Sequence, residues 1–247
     1  MALGVIQALD MIGTKKRVWI GSYDNIEEVR SQMRNHYIHA TIEQHPELMG
    51  AYGVELAYKI LNGKKVPDYI QTNLDLITYE SFDKKIGISI SDLKNPFFIT
   101  LTSEIQKVAK LHGMKVIIND AHNDESQQLM DIQNFVQQQV DAIIVNPTHI
   151  ESVSLVIEFA NTANIPIITV DRKASQGKVI SHIASDNLAG GSMAGELVAD
   201  KLKGKGTVLE LEGIPGTSAA QNRGRGFNKI LKNYKKIKVT RIVADFD

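Results

Sequence analysis

Short β-branched runs alternate with longer stretches of helical spacing along almost the whole chain. Runs such as "DAIIVN" and "IPIITV" are apolar without alternation, the mark of strands covered on both faces of a sheet. The pattern predicts strands over Arg17–Ile20, Ala40–Gln44, Ile86–Ile90, Lys115–Ile118, Ala142–Val145, Ile165–Val170, Val179–Ile183, Thr207–Leu211 and Val239–Val243. Between them it predicts helices over Ile26–Arg34, Pro46–Leu61, Pro96–His112, Glu125–Gln138, Glu151–Ala163, Leu188–Leu202 and Ser218–Asn233. The opening "MALGVIQALDMIG" reads as one more amphipathic helix. Asn95 before Pro96 and Thr217 before Ser218 are suitable helix starts. The longest non-helical stretch, "LNGKKVPDYIQTNLDLITYESFDKK", is too patterned for a flexible linker. Repeated strand–helix–strand units imply an α/β fold of parallel sheets with helices on both faces.

Composition narrows the function. Lysine plus arginine equals aspartate plus glutamate at 28 each, so no strong field favours nucleic acid or an acidic membrane. The chain has no cysteine, which excludes disulfides, thiolate metal sites and a thiol nucleophile. No apolar run approaches the roughly 20 residues of a membrane helix, and the opening residues lack the basic leader and cleavage site of a signal peptide. His36 and His39 have metal-like spacing but no evident third ligand. "EGIPG" sits between a strand and a helix yet matches neither phosphate-loop fingerprint. No nucleophile–base arrangement stands out, so an enzyme is not expected.

In parallel sheets, ligands bind beyond the carboxyl ends of the strands. Those ends are polar here: Ser91 and then Asn95, Asn146, Asp171 with Arg172, Asp24, Gln44, and Asp245 with Phe246. Phe97 and Phe98 lie beside Asn95. Amides, carboxylates and guanidinium groups at one edge, with aromatic rings nearby, suit a ligand that presents many hydroxyls at once. Each residue alone also has an ordinary role as a cap, turn or core side chain; their joint placement at strand ends is the signal.

The stretches "SDLKNPFF", "IIVNPT", "IPIITVDR", "VISHIASDN", "LELEGIPGTSAAQNRGRGF", "SYDN" and "ATIEQHPELMG" together resemble the periplasmic sugar-binding proteins of bacterial ABC transporters, the ribose-binding members most closely. The resemblance implies two doubly wound parallel-sheet lobes joined by a hinge, the type I periplasmic binding protein architecture. It also implies a permuted order, because "KKIGISIS" resembles the family's beginning and "LITYESF" its end, joined near Phe82–Lys84. One strand–helix unit, roughly 25 residues, is expected between the sequence's last residue, Asp247, and Met1 and is absent. Carried onto this chain, one lobe comprises 45–73 and 84–185, the other 1–44, 74–83 and 186–247.

The implied ligand residues are Ser91, Asn95, Phe97, Phe98, Asn146, Asp171 and Arg172 from one lobe, and Arg223, Phe246, Asp24 and Gln44 from the other. The implied ligand is a monosaccharide, D-ribose first, bound by hinge closure without cofactor or metal. An ABC-transporter permease and a chemoreceptor are the implied partners, with the chain monomeric unless another chain supplies the absent unit. The family location is extracytoplasmic. The alternatives are the effector-binding core of a sugar-responsive regulator, which would need a DNA-binding segment, or a permuted sugar sensor.

Overall fold

The structure, a computed structural model, describes residues 2–13 and 18–244. Two compact units are present, Met1–Lys84 with Ile105–Lys115, and Lys85–Glu104 with Val116–Asp247. These units follow other lines than the lobes that the resemblance implies.

In the first unit, β1 (Gly21–Tyr23) and β2 (Ala40–Glu43) are parallel, with Gly21 opposite Ala40. β3 (Asp75–Thr78) joins β2 antiparallel, with Ala40 opposite Thr78. Helices α1 (Ala2–Met11) and α2 (Glu27–Arg34) close the core of Ile6, Ile20, Val29, Met33, Ile38, Ile77 and Phe82. A single apolar face on each element supplies this core, at about 1.5–3 kcal/mol per fully buried aliphatic side chain. Helix α3 (Pro46–Leu61) starts and stops where the sequence predicts, yet buries none of its residues.

Two expectations change here. The first strand is displaced from Arg17–Ile20 to Gly21–Tyr23, because pairing begins only where β2 offers Ala40; Arg17 itself lies outside the described residues. Trp19, 72% exposed, stacks on His39 instead of entering the sheet. β3 was not among the predicted strands. Of its four residues only Ile77 is buried, which leaves too little alternation to detect.

The second unit carries a parallel sheet in the order β5 (Lys115–Asp120), β4 (Lys85–Ile90), β6 (Ala142–Val145), β7 (Ile167–Val170), β8 (Ser181–Ile183). In chain order that is 2-1-3-4-5, so the connections reverse between β4 and β6. Ile86 pairs with Ala142, and Ile143 with Ile167. Helices α5 (Glu125–Gln137) and α6 (Ser152–Thr162) pack a core of Ile132, Phe135, Ile143, Val145, Val156, Ile157 and Ile167. Gly87 in β4 is required because a Cβ there would stand 2.5 Å from the Phe135 ring. α4 (Pro96–Leu111) follows β4.

The same unit ends in α7 (Asn187–Lys201), β9 (Lys205–Glu212), α8 (Ser218–Leu231) and β10 (Lys236–Val243). β9 and β10 form a two-stranded parallel sheet whose one face meets Ala199, Phe227 and Leu231. Leu209, Leu211 and Ile242 on the other face are exposed. α7 and α8 meet at backbone distance: a Cβ on Gly191 would lie 2.1 Å from the Arg223 carbonyl oxygen, and one on Gly226 equally near the Leu188 oxygen.

Candidate functional site

The reversal between β4 and β6 opens a crevice at the carboxyl ends of these strands, and the predicted residues of this unit gather around it. Asn95, Phe97, Phe98, Asp171, Arg172 and Arg223 line one cavity of about 150 Å³, together with Ala219. That size fits a ligand well below drug size, since drug-sized pockets start near roughly 300 Å³.

Each wall has a local cause. Asn95 Oδ1 accepts the Phe97 N–H at 2.9 Å and its carbonyl accepts the Phe98 N–H, so this residue both caps α4 and turns the two rings out of the strand end. The rings meet edge to face, 5.3 Å between centroids. Phe98 is buried while Phe97 is 53% exposed, which leaves an apolar face for a ligand. Asp171 ends β7 with φ 58°, a left-handed backbone, and its N–H donates to the Ile183 carbonyl at 2.8 Å. That turn throws Arg172 back under the cavity.

Arg172 is 3% exposed. Its guanidinium lies 5.5 Å from the Phe98 ring centroid, Nη1 donates to the Pro147 carbonyl at 3.2 Å, and Nε stands 3.9 Å from Asp171 Oδ2. Burial pulls its pKa down; Asp171 and Asp92 oppose that, and Arg223 adds to it. A guanidinium nonetheless stays charged in proteins. Arg223, from α8, is held by Nε donating to Asn187 Oδ1 at 2.7 Å.

Ser91 and Asn146 do not line this cavity. Both are fully buried. Ser91 donates its hydroxyl and backbone N–H to Asn146 Oδ1, and Asn146 Nδ2 donates to the Val170 carbonyl at 3.1 Å. They tie the ends of β4, β6 and β7 into one fixed floor. Behind them lies a polar network that sequence reasoning missed. Gln128, 1% exposed, donates to Ser89 Oγ and the Asn146 carbonyl and accepts from the Thr148 N–H and hydroxyl. Asp131 accepts from Ser89, Asn119 and Gln127. Their helical spacing reads as an exposed polar face, and only the sheet opposite reveals them.

In the first unit Asp24 and Gln44 come together at the ends of β1 and β2, Gln44 Nε2 donating to Asp24 Oδ1. Asp24 has φ 62°, the same left-handed turn as Asp171. Asp24 also lines a cavity of about 480 Å³ with Ser22 and Thr41. Phe246 and Asp245 lie outside the described residues. His36 and His39 pack against Tyr79. No group of three metal-ligating side chains occurs, and no helix is long and apolar enough to cross a membrane, among the described residues.

A larger cavity of about 690 Å³ runs beside α7, α8 and β9 and shares Arg223, with Asp186, Glu210, Glu212 and Phe227 on its walls. Size alone would rank it above the smaller one. The smaller one differs in gathering two aromatic rings, two guanidinium groups, an aspartate and an amide beyond the strand ends.

The parallel sheet, reversing its strand order at the strand-end crevice of aromatic, acidic and guanidinium groups, defines an α/β protein of the doubly wound class. Residues 86–246 match the model of the periplasmic binding protein domain, and the chain belongs to that family. It is 51% identical over 163 residues to the ribose import binding protein RbsB of Bacillus subtilis, covering 66% of this chain and 53% of that protein. The RbsB of Haemophilus influenzae is 43% identical over 162 residues, 66% of this chain and 56% of that one. Among solved structures, the fructose-binding periplasmic domain of a hybrid two-component system has a TM-score of 0.64 at 30% identity, covering 66% of this chain and 55% of its own. The chain thus spans about half the length of the curated relatives it matches.

Proposed function

We propose that this chain binds a monosaccharide, D-ribose first among them, for delivery to an ABC importer outside the cytoplasm. The observation that carries the reading is the convergence of Asn95, Phe97, Phe98, Asp171, Arg172 and Arg223 on one small cavity. Rings cover the C–H faces of a sugar, and charged donors and acceptors take its hydroxyls at about 1.5–3 kcal/mol each. The names of the ribose import relatives point to the same ligand. No step of this chemistry makes or breaks a covalent bond, so the role is capture, not catalysis.

Asp24, Gln44 and Phe246 are proposed as contacts from a second lobe, with Ser91 and Asn146 supporting the floor. We assign 45–73 with 84–185 to one lobe and 1–44, 74–83 and 186–247 to the other; the lack of burial on α3 within its own unit supports moving it. A permuted order is supported by the family match beginning at residue 86, beside the segment that resembles the family's opening. Sugar then stabilises a hinge-closed form that a permease or chemoreceptor reads.

A thermal-shift panel of D-ribose, D-allose, myo-inositol and xylitol tests the reading. D-ribose is expected to raise the melting temperature, and Arg172→Ala to abolish the rise. No response to any of the four would reject it.

A further inference from the structure

We propose that Asn187, outside the cavity, is the positioning residue that aims Arg223 into it; this rests on the sugar-binding reading above. Asn187 opens α7, behind the N-cap Asp186, and is 8% exposed. Both ends of its side-chain amide are committed. Nδ2 donates to the Ser185 carbonyl at 3.2 Å, the same oxygen that accepts the Asn187 backbone N–H at 2.8 Å. Oδ1 is thereby turned towards α8 and accepts from Arg223 Nε at 2.7 Å.

The anchor answers a specific difficulty. Arg223 and Arg172 line the same cavity of about 150 Å³, and the Arg223 guanidinium disfavours the charge on Arg172. Arg172 is fixed by burial, Pro147 and Phe98. Arg223 is exposed, and among the described residues Asn187 is its only hydrogen-bond partner. Left alone, it lowers its energy by swinging towards water and away from Arg172. The bond at Nε blocks that rotation while leaving both Nη groups for a ligand, the fork that recognises paired hydroxyls. The backbone cooperates: Gly191, one turn along α7, lets the Arg223 carbonyl approach so closely that a Cβ would overlap it. Helix spacing places the Arg223 backbone, and Asn187 places its side chain.

The test combines titration calorimetry with D-ribose and ¹⁵N–¹H correlation of arginine εNH groups in the full chain. In sugar-free protein, Arg223 should give a slowly exchanging εNH signal, assigned by its loss in Arg223→Lys. Asn187→Ala should remove that signal; Asn187→Asp, which keeps the acceptor, should retain it. Asn187→Ala should weaken D-ribose about tenfold, the worth of one hydrogen bond to a charged group, and Asn187→Asp less than threefold. In the Arg223→Lys background Asn187→Ala should cost less than twofold, whereas a merely structural loss would cost the same in both. An unchanged Arg223 signal in Asn187→Ala, or equal losses in both backgrounds, overturns the proposal. Absence of sugar binding by the unaltered chain, with the εNH pattern as expected, rejects the sugar reading and leaves the Asn187–Arg223 anchor standing.

Discussion

Asp171 has two separable duties. Its carboxylate faces the cavity, and its backbone holds a left-handed turn at φ 58°. Asp171→Gly and Asp171→Ala both delete the carboxylate, so both should lose D-ribose. Alanine also pays about 1–2 kcal/mol for a positive φ that glycine adopts without strain. Urea denaturation should therefore find the glycine variant more stable by about 1 kcal/mol; equal midpoints would remove strain from the account. The residues that gather at the cavity were legible because polar groups at the ends of apolar runs are conspicuous. Their duties were less so: Ser91 and Asn146 stand at strand ends like the others but spend their hydrogen bonds on each other and on Val170. Asn187 and Gln128 had no signal, because what faces them comes from distant parts of the chain.

Between elements, His45 joins three. It precedes α3 with φ 54°, follows β2, and its Nε2 meets Asp75 Oδ2 of β3 at 2.8 Å, with Nδ1 3.3 Å from Glu47. Glu43 Oε1 accepts the N–H groups of Gln44 and His45, and Lys107 acts on Glu47. Burial pulls the His45 pKa down, but the bonds with Asp75 and Glu47 outweigh it and leave it raised. A raised histidine stabilises the fold below its unfolded value of 6.5 and loses that contribution as pH rises through its folded value. Asp75→Asn should lower the urea midpoint at pH 5.5 and leave it nearly unchanged at pH 9. The effect is small, because Asp75 and Glu47 are half-exposed. A loss of equal size at both pH values would exclude the ionic bond. Element boundaries were legible where a helix has a proline or cap to begin on, as at Pro46, Pro96 and Ser218. They were not where a three- or four-residue strand depends on its neighbour, as with β1 and β3.

For the whole molecule, charge and surface act together. Net charge is zero at pH 7, with an isoelectric point near 7.1, and Leu209, Leu211 and Ile242 stand exposed on one face of the β9–β10 sheet. Parallel sheets are normally covered on both faces, so this bare one favours association when charge repulsion vanishes. Solubility should pass through a minimum near pH 7, and Leu211→Lys should raise it there while changing unfolding free energy by less than about 0.5 kcal/mol. A marked destabilisation would mean that Leu211 is covered in solution. The α/β class was legible from unbroken apolar runs, since strands buried twice leave no alternation. The division into two compact units was not, because Ile105–Lys115 falls with Met1–Lys84 although the residues on either side of it in the chain belong to the other unit.

At Gly191 and Gly226 two helices lean on each other backbone to backbone. Such a joint has no slack: a methyl added at either glycine would overlap the backbone of the facing helix. Descendants of this chain that acquire a taste for different ligands must therefore do so by exchanging the groups around the crevice, with the spacing of this helix pair handed down unaltered.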